Sequence, residues 1–151
     1  MQGYYRDPQQ TAASFQGEWF ITGDLVRRDS DGYFWFVSRK KDIIRKRGEN
    51  ISGSELDRVI SEHPGILEAA AVAVPSELGE DDILVGVVLK PGASATPQEI
   101  AQWCRERLAP QKVPRYVRFM AELPHTPTGK VLKQKLKADE TLKSGAMDLA
   151  G

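Results

Sequence analysis

Arg39-Lys40-Lys41-Asp42-Ile43-Ile44-Arg45-Lys46-Arg47-Gly48-Glu49-Asn50-Ile51-Ser52 is the stretch on which the reading turns. Six cationic residues, Arg39, Lys40, Lys41, Arg45, Lys46 and Arg47, crowd into it around the apolar pair Ile43-Ile44. Gly48-Glu49-Asn50 has turn chemistry, because Gly and Asn tolerate positive φ. Ser52-Gly53-Ser54-Glu55 then has the spacing of a helix capping box. A cationic strand, a glycine loop and a helix start, in that order, suit an anionic ligand. Taken alone, the same stretch reads sooner as a solvated basic turn, and the flanking sequence reverses that preference.

Outward from it, the chain is ordinary. Its 151 residues carry 21 Lys+Arg and 21 Asp+Glu, so the basic stretch is a local concentration in a neutral protein. Neutrality argues against nucleic acid as a partner. Cys104 is the single cysteine, which forbids an intrachain disulfide and suits a reducing compartment, with cytoplasm as the default. No apolar run is long enough to span a bilayer, and residues 1–6 carry no secretory signal.

Toward the N-terminus, Asp7-Pro8 opens a short helix running to about Phe15. Trp19-Phe20-Ile21 reads as a short buried strand. Leu25–Arg28 and Tyr33–Ser38 flank Asp29-Ser30-Asp31-Gly32 as a β-hairpin. The aromatics Tyr33, Phe34, Trp35 and Phe36 exceed what residues 19–39 can cover, so this unit is expected to belong to a larger neighbour or to pair with a second copy.

Toward the C-terminus, residues 53–63 place Leu56, Val59, Ile60 and His63 on one helical face. His63 reads as a residue near the core, since no second ligand sits at metal spacing. Ile66–Val74 and Asp82–Lys90 are buried strands. Thr96-Pro97-Gln98-Glu99 combines an N-cap, a first-turn proline and a capping-box glutamate. That helix buries Ile100, Trp103, Cys104 and Leu108, making Cys104 a structural thiol. Tyr116–Met120 is a third strand. Leu123–Lys130 is a proline-interrupted loop, a last helix starts near Lys130, and residues after about Glu140 are expected to fray. The sum is an α+β fold, a short mixed sheet packed with helices. Thr128-Gly129-Lys130 lacks the preceding glycine and following hydroxyl of a triphosphate loop. No dinucleotide fingerprint or Cys/His metal cluster occurs. Composition and spacing alone stop at an anion-binding α+β domain fused to a partial β-unit.

Three segments together resemble the C-terminal part of the adenylate-forming enzymes, the superfamily of acyl-CoA synthetases, luciferases and peptide-synthetase adenylation domains. These are Gly17-Glu-Trp-Phe-Ile-Thr-Gly-Asp24 with the preceding Gly3–Pro8, Ser38–Asn50, and Leu123–Lys130. The wording Arg47-Gly-Glu-Asn-Ile-Ser52 and Val72–Gly79 is similar to ligases of carnitine-type or related short acids. The resemblance implies two steps. A carboxylate attacks the α-phosphate of ATP, brought with Mg2+, to give acyl-AMP and pyrophosphate; coenzyme A then displaces AMP. It implies that Lys130 is catalytic in adenylation and that Asp24 and Arg39 bind the ribose–phosphate region. It makes Arg45 and Asn50 adenylate contacts, Gly48 the loop facing the pantetheine arm, and Lys41 the hinge; no residue is assigned to a metal. Relatives often carry Lys at position 45. It further implies a division into residues 1–40, the tail of a large N-terminal AMP-binding domain; 41–140, a mobile C-terminal domain; and 141–151, a flexible tail. The phosphate loop and acid pocket would then lie upstream, the acid cannot be read here, and the 151 residues alone would be inactive. Two alternatives stay open: an adenylation domain that loads a carrier protein, and a non-catalytic anion-binding module.

Overall fold

The computed structural model describes residues 1–77 and 79–149, and its contacts divide the chain into a unit ending at Lys40 and a unit beginning at Lys41.

In the first unit, α1 (Pro8–Ala13) starts where Asp7 accepts a hydrogen bond from Gln10 N, with Pro8 in the first turn. β1 (Phe15–Gln16) and β2 (Trp19–Phe20) pair around Gly17, whose φ is +61°. The expected buried strand is therefore a surface hairpin: Trp19 is 78% exposed. Two residues per strand cannot bury anything on their own. β3 (Asp24–Arg28) pairs antiparallel with β4 (Phe34–Arg39), as the Asp-Gly turn predicted. Asp29 ties that turn, accepting from Asp31 N, Tyr33 N and Trp35 Nε1. These donors hold its carboxyl below the usual range, the Trp35 bond foremost. Tyr33, Phe34, Trp35 and Phe36 are all more than half exposed.

The second unit begins in a 3-10 turn, Lys40–Asp42. β5 (Ile43–Lys46) and β6 (Glu49–Ser52) form a hairpin. Ser52 caps α2 (Gly53–Ser61), accepting from Glu55 N. The Glu55 carboxylate instead meets Lys112 Nζ, 2.7 Å away, so the expected reciprocal box is replaced by a long-range ion pair. β7 (Ile66–Pro75) and β8 (Asp81–Leu89) are antiparallel. α3 (Pro97–Arg105) carries the complete Thr96/Glu99 capping box and leads into β9 (Tyr116–Phe119), which runs parallel to β8. A parallel pair needs such a crossover.

Beyond Glu140, where fraying was expected, the described residues hold further secondary structure. α4 (Lys133–Lys137) is followed by α5 (Thr141–Ser144) and β10 (Met147–Asp148), which pairs antiparallel with β9. The sheet order is β10-β9-β8-β7. Leu142 is 2% exposed, and Arg115 holds Asp148 at 2.9 Å. These attachments are non-local, so nothing in the local pattern announces them. Ala150 and Gly151, the end of the expected tail, lie outside the described residues.

Both sheet faces are covered, which is why β7 and β8 read as continuous apolar runs. Alternate residues supply two cores. Ala71, Ile83, Val85 and Val87 face Leu56 and Ile60 of α2 and Ile100 and Cys104 of α3. Ala70, Val72, Leu84 and Val88 face Leu123, Leu136 and Leu142. Gly86 admits this second layer closely: a Cβ there would stand 3.2 Å from both Leu123 Cδ2 and Met120 Sδ. Burial pushes the Cys104 thiol up to about 11, and it is an inert part of the first core.

Candidate functional site

The β5–β6 hairpin is set by its apolar pair. Ile44 faces Ile51 across the ladder, both essentially buried, which turns Arg45 and its cross-strand partner Asn50 outward into solvent. The turn is tighter than expected. Arg47 and Gly48, with φ of +52° and +76°, form the connection, while Glu49 and Asn50 belong to β6. Positive φ at both central residues is the two-residue hairpin geometry that matches strand twist. A Cβ on Gly48 would meet nothing within 4 Å, so glycine serves conformation there and not space within this unit.

Acidic residues entering β8, which the sequence analysis did not single out, hold this hairpin. Asp81 Oδ2 accepts from Arg45 N at 3.0 Å and Glu80 Oε1 from Gly48 N at 3.2 Å. Asp82 lies 3.5 Å from Lys46 Nζ and 2.9 Å from Arg115 Nη1. Arg115, bonded to Asp148 and to Asp82, keeps its proton even more firmly than an ordinary guanidinium. Lys46, Arg47, Asp82 and Arg115 line a concavity of about 730 Å³. Among the described residues, the guanidiniums of Arg45 and Arg47 have no acidic partner.

Lys130 stands on a different loop. The helix expected to start near Lys130 is α4, which starts at Lys133, so Lys130 sits on a closed turn instead. Leu132 N donates to Pro124 O at 2.7 Å, Thr126 N to Lys130 O at 2.8 Å, and Gly129 N to Thr126 O at 2.9 Å. Lys130 N donates to Thr126 Oγ1 at 3.1 Å, and Gly129 takes φ +79°. Lys130 is exposed, and its ammonium has no ion pair among the described residues. It lines a groove of about 610 Å³ together with Lys41, Asp42, Asp57, Glu68 and Lys133. The Lys41 carbonyl accepts from Lys137 Nζ at 3.2 Å, while its own ammonium is exposed. Asp57 accepts from Ala71 N at 2.7 Å and pairs with Lys133 Nζ at 2.6 Å. Burial raises its carboxyl above the usual range, with Lys133 opposing.

In the first unit, Asp24 begins β3 and Arg39 ends β4, the two paired in register, and Arg39 Nε lies 2.8 Å from Asp24 Oδ1. Arg39 Nη1 also donates to Thr22 O at 3.1 Å. The sequence-derived residues thus fall into three places: Asp24 with Arg39, Arg45 with Gly48 and Asn50, and Lys41 with Lys130. Among the described residues no three His, Cys, Asp or Glu side chains gather as a metal site.

The family of AMP-binding enzyme C-terminal domains matches residues 55–130, half of the chain. The chain belongs to this family. This AMP-binding C-terminal domain is 40% identical over 141 residues to a long-chain-fatty-acid–CoA ligase of Bacillus subtilis, covering 93% of the chain and 25% of that protein. It is 43% identical over 137 residues to a sulfoacetate–CoA ligase of Cupriavidus necator, covering 90% of the chain and 27% of that protein. Among solved structures it superposes on the o-succinylbenzoate CoA synthetase of Bacillus subtilis, in complex with an acyl-adenylate intermediate. There the TM-score is 0.81 with 30% identity, over 93% of this chain and 28% of that one. An amide bond synthetase from Marinactinospora thermotolerans gives 0.76 and 36%, covering 91% of this chain and 28% of that one. The chain thus spans about a quarter of the length of the curated relatives it matches. No described helix is long and apolar enough to cross a membrane.

Proposed function

We propose that this chain is the C-terminal part of an ATP-dependent acyl-CoA ligase, which joins a carboxylic acid to coenzyme A through an acyl-adenylate. The observation that carries this is the groove lined by Lys130 and Lys41, in which the Lys130 backbone is held in a closed turn and its ammonium has no ion pair among the described residues. A fixed, uncommitted cation is what a phosphoryl-bearing anion requires, and it acts most where charge builds in the transition state. By donor chemistry we assign Lys130 to the α-phosphate and substrate carboxylate and Arg45 and Asn50 to polar adenylate contacts in the second unit, and in the first unit the Asp24 carboxylate to ribose hydroxyls with Arg39 beside it. Gly48 borders the path of the pantetheine arm. Mg2+ enters with ATP.

The two faces of the second unit serve two steps. Lys130 lines one groove, while Lys46 and Arg47, just before Gly48, line another. Alternation between them requires rotation about a hinge, which we assign to Lys41, the first residue of that unit. A larger domain of the same enzyme, holding the acid pocket, covers the exposed aromatics of residues 33–36. The buried thiol suits the cytoplasm. The acid belongs to a class this chain does not select; fatty acids and carnitine-type acids are both within reach.

Mass-spectrometric detection of ATP-dependent thioester formation, with release of AMP, by the ligase containing this chain tests the reading. Acyl-CoA is the expected product. Acylation of a carrier protein in place of coenzyme A would assign the chain to the peptide-synthetase branch, and absence of any adenylate would leave an anion-binding module.

A further inference from the structure

Resting on that reading, we infer that Asp57 and Lys133 form a positioning pair that fixes the turn carrying Lys130. Lys133 is three residues beyond Lys130, and its ammonium is turned inward, with the side chain 12% exposed and 2.6 Å from Asp57 Oδ2. The other Asp57 oxygen accepts from Ala71 N of β7 at 2.7 Å, so this one carboxylate binds the Lys130 turn to α2 and to the sheet at once. The seat is tight: a Cβ on Gly53 would stand 3.1 Å from Lys133 Nζ. On the other flank of the turn, His125 Nε2 lies 3.0 Å from Glu68 Oε1 on β7. Among the described residues the backbone bonds of this turn stay within it; the two side-chain pairs, together with Leu123 and Val131 packed in the second core, attach it to the domain. The arrangement also sorts the lysines by task. Lys133 is neutralised inside, which leaves Lys130 and Lys41 as the exposed lysines lining the groove. Asp57 is the more informative partner, because it borders the groove without an assigned substrate contact and reaches the Lys130 turn through Lys133.

Two substitutions test this. Lys133→Met keeps the length and apolar stem and removes the charge; Asp57→Asn keeps an acceptor for Ala71 N while weakening the pair. In this chain, amide exchange at Gly129, Lys130 and Leu132 is expected to quicken about tenfold or more in both variants, with β7 and β8 amides unchanged. Lys133→Arg is expected to restore protection. In the ligase, adenylation falls about 10–100-fold through misplacement of Lys130, whereas coenzyme A transfer from supplied acyl-adenylate stays near wild type. Unchanged exchange at the three amides, or equal loss in both half-reactions, overturns the inference. If Lys133→Met does not fold, Asp57→Asn decides on the same readouts. A wild-type protein that forms no adenylate would instead refute the functional reading and leave the exchange result standing.

Discussion

Replacing Leu142 by alanine tests whether the segment after Glu140 is part of the fold. Leu142 is 2% exposed and packs in the core layer with Leu136, Leu123 and Tyr116. Truncation removes three buried carbons and leaves a cavity beneath α5, which costs about 2–5 kcal/mol for a fully enclosed leucine. Part of α5 can relax inward, because it is a four-residue helix at the edge of the layer. A value of about 3 kcal/mol follows. With a urea m-value of roughly 1.5 kcal/mol/M for a unit of this size, the midpoint falls by about 2 M. The melt is followed on the β8 amide resonances, which report the second unit alone. Leu67→Ala is the control, since Leu67 is 54% exposed and should change stability by less than about 0.5 kcal/mol. If Leu142→Ala moved the midpoint no more than Leu67→Ala, the segment would not be part of the packed unit.

Lys41→Pro in the ligase is expected to impair thioester formation far more than adenylation, while Lys41→Ala is mild, because proline fixes φ and alanine leaves it free; half-reaction assays with both variants decide. Gly53→Ala forces a Cβ to 2.8 Å from Asp42 O and 3.3 Å from Ala71 O. It should destabilise by about 1–3 kcal/mol in a urea melt, against the usual gain from alanine in a helix. Cys104, with its pKa raised to about 11 by burial, should resist thiol reagents at pH 8, where about a thousandth is thiolate. Its folded pKa lies above the unfolded one, so its contribution to stability is complete below about pH 9 and is lost as pH rises toward 11, which a pH series of melts measures.

Where structure follows from neighbours in the chain, it was legible. Thr96, Pro97 and Glu99 specify a helix start among themselves, and Asp29 with Gly32 specifies a hairpin. The two buried strands announced themselves because both faces of β7 and β8 are covered. Legibility ended where distant residues decide. The turn settled on Arg47-Gly48 because the Ile44–Ile51 pairing fixes the register, and a one-residue slip would bury Arg45. Lys130 lies outside α4 because the Pro124–Leu132 backbone bond closes a turn around it. β10 exists because β9 and Arg115 hold it. Asp57 and Lys133 belong to motifs far apart in sequence, and only folding brings them together. The roles of Asp24, Arg39, Arg45, Gly48 and Asn50 came from resemblance to a family; the structure supplies their positions.

Lys130→Ala in the ligase, assayed separately in each half-reaction, tests the central claim most directly. Removing one charge contact made in the transition state costs about 2.7–4 kcal/mol, or 10²–10³ in rate. The account predicts that loss in acyl-adenylate formation, with near-normal coenzyme A transfer when preformed acyl-adenylate is supplied. Equal impairment of both half-reactions, or adenylation at the wild-type rate, would contradict it.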